Sequence, residues 1–405
     1  MLTLDKVYHA AYVLKDVARK TDLIYAPHLS DSCEVYLKTE NLQVTGSFKL
    51  RGAYYKISQL SPEEKEKGVI ACSAGNHAQG VALAATHNGI DSLICIPATA
   101  PISKVEATKH YGAQVCLVPG VYDDAHEKAV QLQKESGRTF IHPFDDPDVI
   151  AGEGTIGLEI LDQLPDVDAV LVPVGGGGLI SGVAFTIKSL RPECKVYGVQ
   201  AAGAPSMAKS LADGKPEELP EVHTFADGIA VKCPGDLTFD LCSRYVDGVV
   251  TVSEDETAAA VLALIEQHKL ITEGAGAVSA AAVMAEKFDL KGKKVVCLLS
   301  GGNIDVTILS KVINRGLIKA GRSSELNIRL MDRPGELKEI SAIIADLGGN
   351  VVSVFHDRAD EHADVAGCYL RIRLFPHQEE ACGSFSLRMT PSCSGWTRQK
   401  RWFLS

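Results

Sequence analysis

The 405-residue sequence predicts an α/β fold built on open parallel sheets, followed by a smaller β-α-β-β unit. Three observations carry this reading. Short Val- and Ile-rich runs alternate with amphipathic segments of helical length, the pattern of a parallel sheet covered on both faces. Glycine-rich stretches directly follow several of those runs, where strand-to-helix turns expose backbone N–H groups. Hydrophobic residues make up 46% of the chain and aromatic ones only 6%, so Ala, Val, Ile and Leu must build the core.

In chain order, strands are expected at Glu34–Leu37, Val69–Cys72, Ser92–Ile96, Gln114–Val118, Ala169–Val174, Lys195–Val199 and Lys294–Leu298. Helices are expected at Asn76–His87, Ile102–Tyr111, Leu179–Leu190, Asp255–His268 and Ala275–Lys287. The polar GLIKAGRSS stretch at 316–324 marks a boundary. Beyond it, Leu326–Leu330 alternates as a strand. Asp332-Arg333-Pro334-Gly335 turns into a helix that reaches Leu347 and is ended by Gly348-Gly349. Asn350–Phe355 and Cys368–Leu374 read as further strands. This is three-quarters of a β-α-β-β-α-β module. The remaining residues do not supply the rest. From Ala381 to Ser405 there is no acidic residue, and both tryptophans, Trp396 and Trp402, fall there. We expect this tail to be irregular and not the segment that first completed the module, a frameshift being one origin for it. The expected division is 1–320, 324–376 and an atypical tail at 377–405.

A net charge of −10 argues against a nucleic-acid or membrane-surface partner. No stretch is long enough to span a bilayer, and the N-terminus lacks the apolar run of a signal peptide. The eleven cysteines form no C-x-x-C pair. Cys72, Cys95, Cys116 and Cys297 sit inside apolar runs and read as small buried hydrophobes in a reducing compartment. No metal site and a cytoplasmic location are therefore expected.

Four segments carry chemistry: Thr45–Ala53, Ser73–Gly80, Gly175–Leu179 and Ser300–Asn303. In the first, Lys49 offers an amine for a Schiff base. Thr45 or Ser47 is expected to cap a helix whose first turn carries it, where the positive helix end disfavours the ammonium form. In the third, Gly175, Gly176, Gly177 and Gly178 follow an apolar strand and precede a helix beginning at Leu179, so successive N–H groups can face a phosphate. The G-x-G-x-x-G spacing of a dinucleotide site is absent, which favours a single phosphate. In the second, Ser73, Ala74, Gly75, Asn76 and His77 open a helix whose free N–H groups suit a substrate carboxylate. The Asn76 amide can donate to a phenolate oxygen, and His77 reads as a packing or orienting residue. Ser300 offers a neutral hydroxyl to a pyridine nitrogen, which leaves a weaker electron sink and favours loss of a β-leaving group over transamination. Together the four segments imply one cofactor, pyridoxal 5′-phosphate.

With these segments the sequence resembles the threonine/serine dehydratase family of fold-type II pyridoxal-phosphate enzymes, whose architecture is tryptophan synthase β-like. The resemblance spans about 5–318 through TGSFKLRGA, SAGNHAQG, AGEGTIGLE, GGGGL, ADGIAVK, EGAGA and LLSGGN, in the family's order. It implies two open-sheet subdomains, the smaller at about 48–150 inserted in the larger. It implies Lys49 as the Schiff-base lysine with Phe48 beside the cofactor, Asn76 on the phenolate oxygen, Gly175–Leu179 on the phosphate, Ser300 on the ring nitrogen and Glu273 near the ring. Glu153 stands where many members have Gln, and little effect is expected from it.

The module after 324 resembles an incomplete ferredoxin-like ACT domain. One such module on this catalytic portion is similar to the medium-length threonine ammonia-lyases. That resemblance implies L-threonine or L-serine as substrate. Lys49 removes the α-proton, the β-hydroxyl leaves with the cofactor phosphate as acid, and the product hydrolyses to a 2-oxo acid and ammonia. It also implies a homotetramer or homodimer and an amino-acid effector, with pairing and regulation in question where the fourth strand is missing. Serine racemases are similar too, but they carry Ser where Ala74 stands, and Gln200 and Ser206 fall where their metal-binding carboxylates would be. Cysteine synthases differ in reading TSGNTG for SAGNHAQG. A non-catalytic amino-acid sensor is opposed by an intact Lys49, and a nicotinamide oxidoreductase by the glycine spacing.

Overall fold

The computed structural model describes residues 1–319, 321–357 and 367–376. The chain divides into two compact units, Met1–Leu309 and Ser310–Ser405. The first holds two sheets. A six-stranded sheet runs in the order Leu23–Tyr25, Glu34–Lys38, Lys294–Leu298, Ala169–Pro173, Lys195–Ala201, Gly248–Val252. All its pairings are parallel except the first. A four-stranded parallel sheet is ordered Gln114–Val118, Ser92–Pro97, Val69–Cys72, Thr139–Phe140. Burial explains the order. Every residue of Ala169–Pro173 and of Val69–Cys72 is buried, as a strand covered on both faces must be, whereas Gly248–Val252 at an edge is mostly half-buried.

The helix Pro147–Gln163 holds AGEGTIGLE and was not expected from the sequence. Val149 through Gly157 are all buried, so no polar face marks it as amphipathic, and three glycines lower its helical propensity. Those glycines admit close neighbours. A Cβ on Gly154 would lie 2.9 Å from Thr186 Oγ1 of the helix Gly178–Leu190. One on Gly152 would run into the Arg51 carbonyl of the helix Lys49–Ser58.

The helix start at Lys49 differs from expectation. Neither Thr45 nor Ser47 caps it. Phe48 is the capping residue, with helical φ −60° and ψ −20° and no side-chain hydrogen bond. Backbone pairing holds the entry instead. Phe48 N donates to Ser300 O at 3.1 Å, and Ser47 forms a β-bridge with Gly301. The Ser47 hydroxyl is left buried without a partner.

Two residues beyond Lys49, Arg51 is 1% exposed and anchors this helix. Its guanidinium donates twice to Glu40 at 2.8 Å and to Glu159 Oε1 at 2.6 Å. Glu159 also accepts from the buried Lys38 ammonium at 2.6 Å. Burial pushes the Glu40 carboxyl up, but Arg51 outweighs it and holds the group below the usual carboxylate range.

In the second unit, Ser324–Met331, Gly367–Pro376 and Gly349–Asp357 form an antiparallel sheet in that order. The helix Glu336–Asp346 packs Ile340 and Ile344 onto Leu326, Ile328, Leu330, Leu370 and Ile372. This is the β-α-β-β portion expected from the alternating pattern. Among the described residues, the outer edge of Ser324–Met331 has no strand partner. The expectation for 377–405 falls outside the described residues.

Arg51→Ala leaves the buried Glu40 carboxylate without its cation and Glu159 paired with Lys38 alone. It should lower unfolding free energy by about 3–5 kcal/mol, measured by urea denaturation followed by far-UV circular dichroism. Glu40 has a depressed native pKa, so its contribution is present above the unfolded-state value and is lost as pH falls through the native one. The stability difference between wild type and Arg51→Ala should therefore shrink on acidification.

Candidate active site

The carboxyl ends of both sheets open on one cavity of about 910 Å³. Lys49, Ser73–His77, Gly175–Leu179, Glu273 and Ser300 all line it, as does Phe48. Segments spread over more than two hundred positions of sequence thus meet because each follows, or packs against, a strand end facing the same way.

Lys49 is the first residue of its helix. Its ammonium donates to the Pro143 carbonyl at 2.6 Å, lies 4.8 Å over the Phe48 ring and stands 3.5 Å from Glu153 Oε1. Glu153 is fully buried, and neither carboxyl oxygen has a hydrogen-bond partner. Burial pushes its carboxyl up to about 7, against the pull of Lys49.

The glycine loop is crowded on every side. A Cβ on Gly176 would meet the Phe144 ring at 2.5 Å, and one on Gly178 would meet Glu153 Oε2 at 2.8 Å. Gly177 has φ +99°, and a Cβ there would meet Met207 Cε at 2.7 Å. The helix begins at Gly178, one residue before Leu179. Thr238 Oγ1 donates to Gly176 O at 2.6 Å and keeps that carbonyl engaged away from the loop's N–H groups.

Across the cavity, Asn76 Nδ2 donates to Glu273 Oε1 at 2.6 Å, and Asn303 Nδ2 donates to both Asn76 Oδ1 at 2.8 Å and Thr45 O at 2.7 Å. This chain holds the Asn76 amide plane and leaves its second N–H for a ligand. Burial, with the Asp227 carboxylate, pushes Glu273 up to about 7. Asp227 is paired with Lys104 at 2.5 Å, and both residues line the cavity. Ser300 Oγ is buried and donates to Ala275 O at 3.4 Å, a long bond that leaves the hydroxyl's lone pairs and rotor available.

Ser73 Oγ accepts from Gly75 N at 3.1 Å, which shapes the turn into the helix Asn76–His87. Ala74 and Gly75 are half-buried at the opening. His77 Nε2 lies 2.8 Å from the Ile141 carbonyl and so donates to it. Burial, then the Lys49 charge, lowers His77 to about 3, which keeps it neutral. That agrees with a packing or orienting residue.

An amine, four consecutive glycines lining the cavity at a helix start, an oriented amide and a neutral hydroxyl fit pyridoxal phosphate. The family profile described as pyridoxal-phosphate dependent enzyme matches residues 14–301. The chain belongs to that family. It is 54% identical over 376 residues to the L-threonine ammonia-lyase of Thermotoga maritima, covering 92% of this chain and 94% of that protein. Among solved structures, threonine deaminase isoform 2 from Solanum lycopersicum superposes with a TM-score of 0.73 at 42% identity, over 78% of this chain and 90% of that one. Maize serine racemase superposes with a TM-score of 0.73 at 33% identity, over 78% and 98%.

The sequence reading missed three contributors. Phe144 and Asn303 sit in loops and reach the site through residues distant in the chain, Gly176 for the first and Thr45 and Asn76 for the second. Glu153 was noticed as a departure from the family pattern, but nothing local to AGEGTIGLE places its carboxyl beside Lys49.

Gly177→Ala forces a Cβ into a left-handed position and against Met207. It should weaken pyridoxal-phosphate binding about tenfold, the equivalent of ~1.4 kcal/mol. A titration of apoprotein followed by absorbance would measure it.

Proposed function

We propose that this protein deaminates L-threonine to 2-oxobutanoate and ammonia, and L-serine to pyruvate and ammonia. The observation that carries the reading is the pairing of one lysine amine, Lys49, with a neutral hydroxyl, Ser300, in a single cavity. The similarity to proteins named for this activity supports it.

In this reading Lys49 anchors the cofactor, Gly175–Leu179 hold its phosphate, Asn76 donates to its phenolate oxygen and Ser300 meets its ring nitrogen. Bound pyridoxal phosphate supplies an electron sink that acidifies the substrate's α-C–H and lets the β-hydroxyl leave. The backbone N–H groups of Ser73–His77 hold the substrate carboxylate at a helix start. Lys49, freed by the incoming amino group, takes the α-proton on Nζ. Glu273 carries a proton near neutrality and buttresses Asn76.

A racemase reading has a structural neighbour in its favour. Two features oppose it. Ala74 has no proton to return from the other face. Gln200 is held by backbone, donating to Val174 O and Ala204 O and accepting from Ala208 N at 2.8 Å, and offers no carboxylate for a cation.

We further read the protein as a cytoplasmic homo-oligomer, tetramer or dimer, whose second unit takes an amino-acid effector. In support, among the described residues no helix is long and apolar enough to cross a membrane. The 376-residue match also exceeds the 309 residues of the first unit, so the Thermotoga maritima relative shares at least part of the second.

The test is 2-oxo acid release from L-threonine and L-serine, with and without isoleucine. Wild type should form 2-oxobutanoate from threonine, Lys49→Ala should form none, and neither should yield D-serine. Cofactor-loaded wild type that releases no 2-oxo acid from either substrate would overturn the proposal.

A further inference from the structure

Glu153 is an anomaly in physical terms. Its carboxyl is wholly buried, neither oxygen accepts a hydrogen bond, and its nearest cation is the Lys49 ammonium at 3.5 Å. A buried carboxylate without hydrogen bonds is costly unless it is paired or protonated. Glu153 has one route to each state, and both run through Lys49.

The groups around it are few. The helix Lys49–Ser58 presents Lys49 and the bare Cα of Gly52. The helix Gly178–Leu190 presents Gly178, with no side chain. The 143–145 loop presents the Phe144 ring, while Asp145 turns away to accept from Thr238 N at 3.1 Å. On its own helix, Glu159 is taken by Arg51 and Lys38. His77 and His142 feel the Lys49 charge, and burial holds both neutral near pH 7. Among the described residues, Lys49 is the single charged group that acts on Glu153. Glu153 is absent from the cavity lining, so it touches Lys49 and not the ligand space.

We propose that Glu153 is a positioning residue that holds the proton of Lys49. The pair exists as ammonium and carboxylate when Lys49 is free. It becomes amine and carboxylic acid when the amine must be bare, whether to engage the cofactor or to receive the next α-proton. In this transfer one Nζ–H bond breaks and one O–H bond forms. The net charge of the buried pair stays zero in both states, so neither requires an isolated interior charge. A glutamine at this position would orient the lysine but could not accept its proton, which would have to leave to solvent. The inference rests on Lys49 being the cofactor-bonding lysine.

The experiment counts protons. Wild-type apoprotein and Glu153→Gln apoprotein are each mixed with pyridoxal phosphate at pH 8 in weak buffer with an indicator dye, and protons released are compared per cofactor bound. At this pH Glu153 is largely ionised before loading and able to receive the lysine proton. Glu153→Gln should release about one proton per site more than wild type. Equal release would overturn the proposal. Glu153→Asp keeps the titratable group and should match wild type; it serves if the glutamine variant fails to fold. A second readout is the pH profile of turnover. The acid limb of the wild-type profile should shift in Glu153→Gln, and superimposable profiles would also overturn the proposal. Borohydride reduction and peptide mapping test the underlying reading separately. If cofactor is not fixed on Lys49 of wild type, the function is misassigned and not merely the role of Glu153.

Discussion

The structure depends first on a buried set of charges. Arg51 joins Glu40, just beyond the strand Glu34–Lys38, to Glu159, on the helix Pro147–Gln163, and Lys38 shares Glu159. Four ionised groups in the interior are stable only because each charge meets its opposite at hydrogen-bond distance and most remaining donors find backbone or hydroxyl oxygens. Arg51 reaches the Arg19 carbonyl and Thr155, and Lys38 reaches the Thr21 carbonyl. The geometry of such a set has little tolerance. It ties the helix Lys49–Ser58, whose apolar face packs with the smaller sheet, to residues at the end of the large-sheet strand Glu34–Lys38, and with it the nitrogen on which the chemistry turns.

Around that anchor, the site is assembled from backbone. The Ser47–Gly301 bridge and the Phe48 N to Ser300 O bond tie the lysine segment to the strand end that presents the Ser300 hydroxyl. Their separation is therefore set by one stretch of strand-like pairing and not by flexible side chains. The Thr45–Asn303–Asn76–Glu273 chain extends this order to the smaller sheet's side of the cavity. The electrostatics then follow from burial. Glu153 and Glu273 are both pushed toward neutrality by loss of water, and His77 is stripped of its charge. Burial thus leaves two carboxyls that titrate near neutrality and one neutral imidazole around the lysine segment.

Much of this was legible in the chain, for reasons that can be named. Strands such as Ala169–Pro173 and Val69–Cys72 are continuous apolar runs ended by glycine or serine, and a parallel sheet leaves few other uses for such runs. Gly175–Gly178 and Lys49 declared themselves by residue type. The helix Pro147–Gln163 did not, because a helix buried on all sides has no polar face to give it a period. The capping of the lysine helix was misread because Thr45 and Ser47 have the right chemistry for a cap, yet strand pairing to Ser300–Gly301 claims the backbone first.

By itself the sequence determined the α/β alternation, the central strands, the β-α-β-β character of the second unit and the residue types on offer to a pyridoxal-phosphate cofactor. These follow from local patterning, in which each residue's neighbours in the chain carry the information. Only the tertiary structure decided that Glu153 faces Lys49, that Phe144 closes on the glycine loop and that Arg51 is buried between the carboxylates of Glu40 and Glu159. Each of these joins residues of different segments. Each is set by how closely helices can approach through bare glycine faces, a distance that no local pattern encodes.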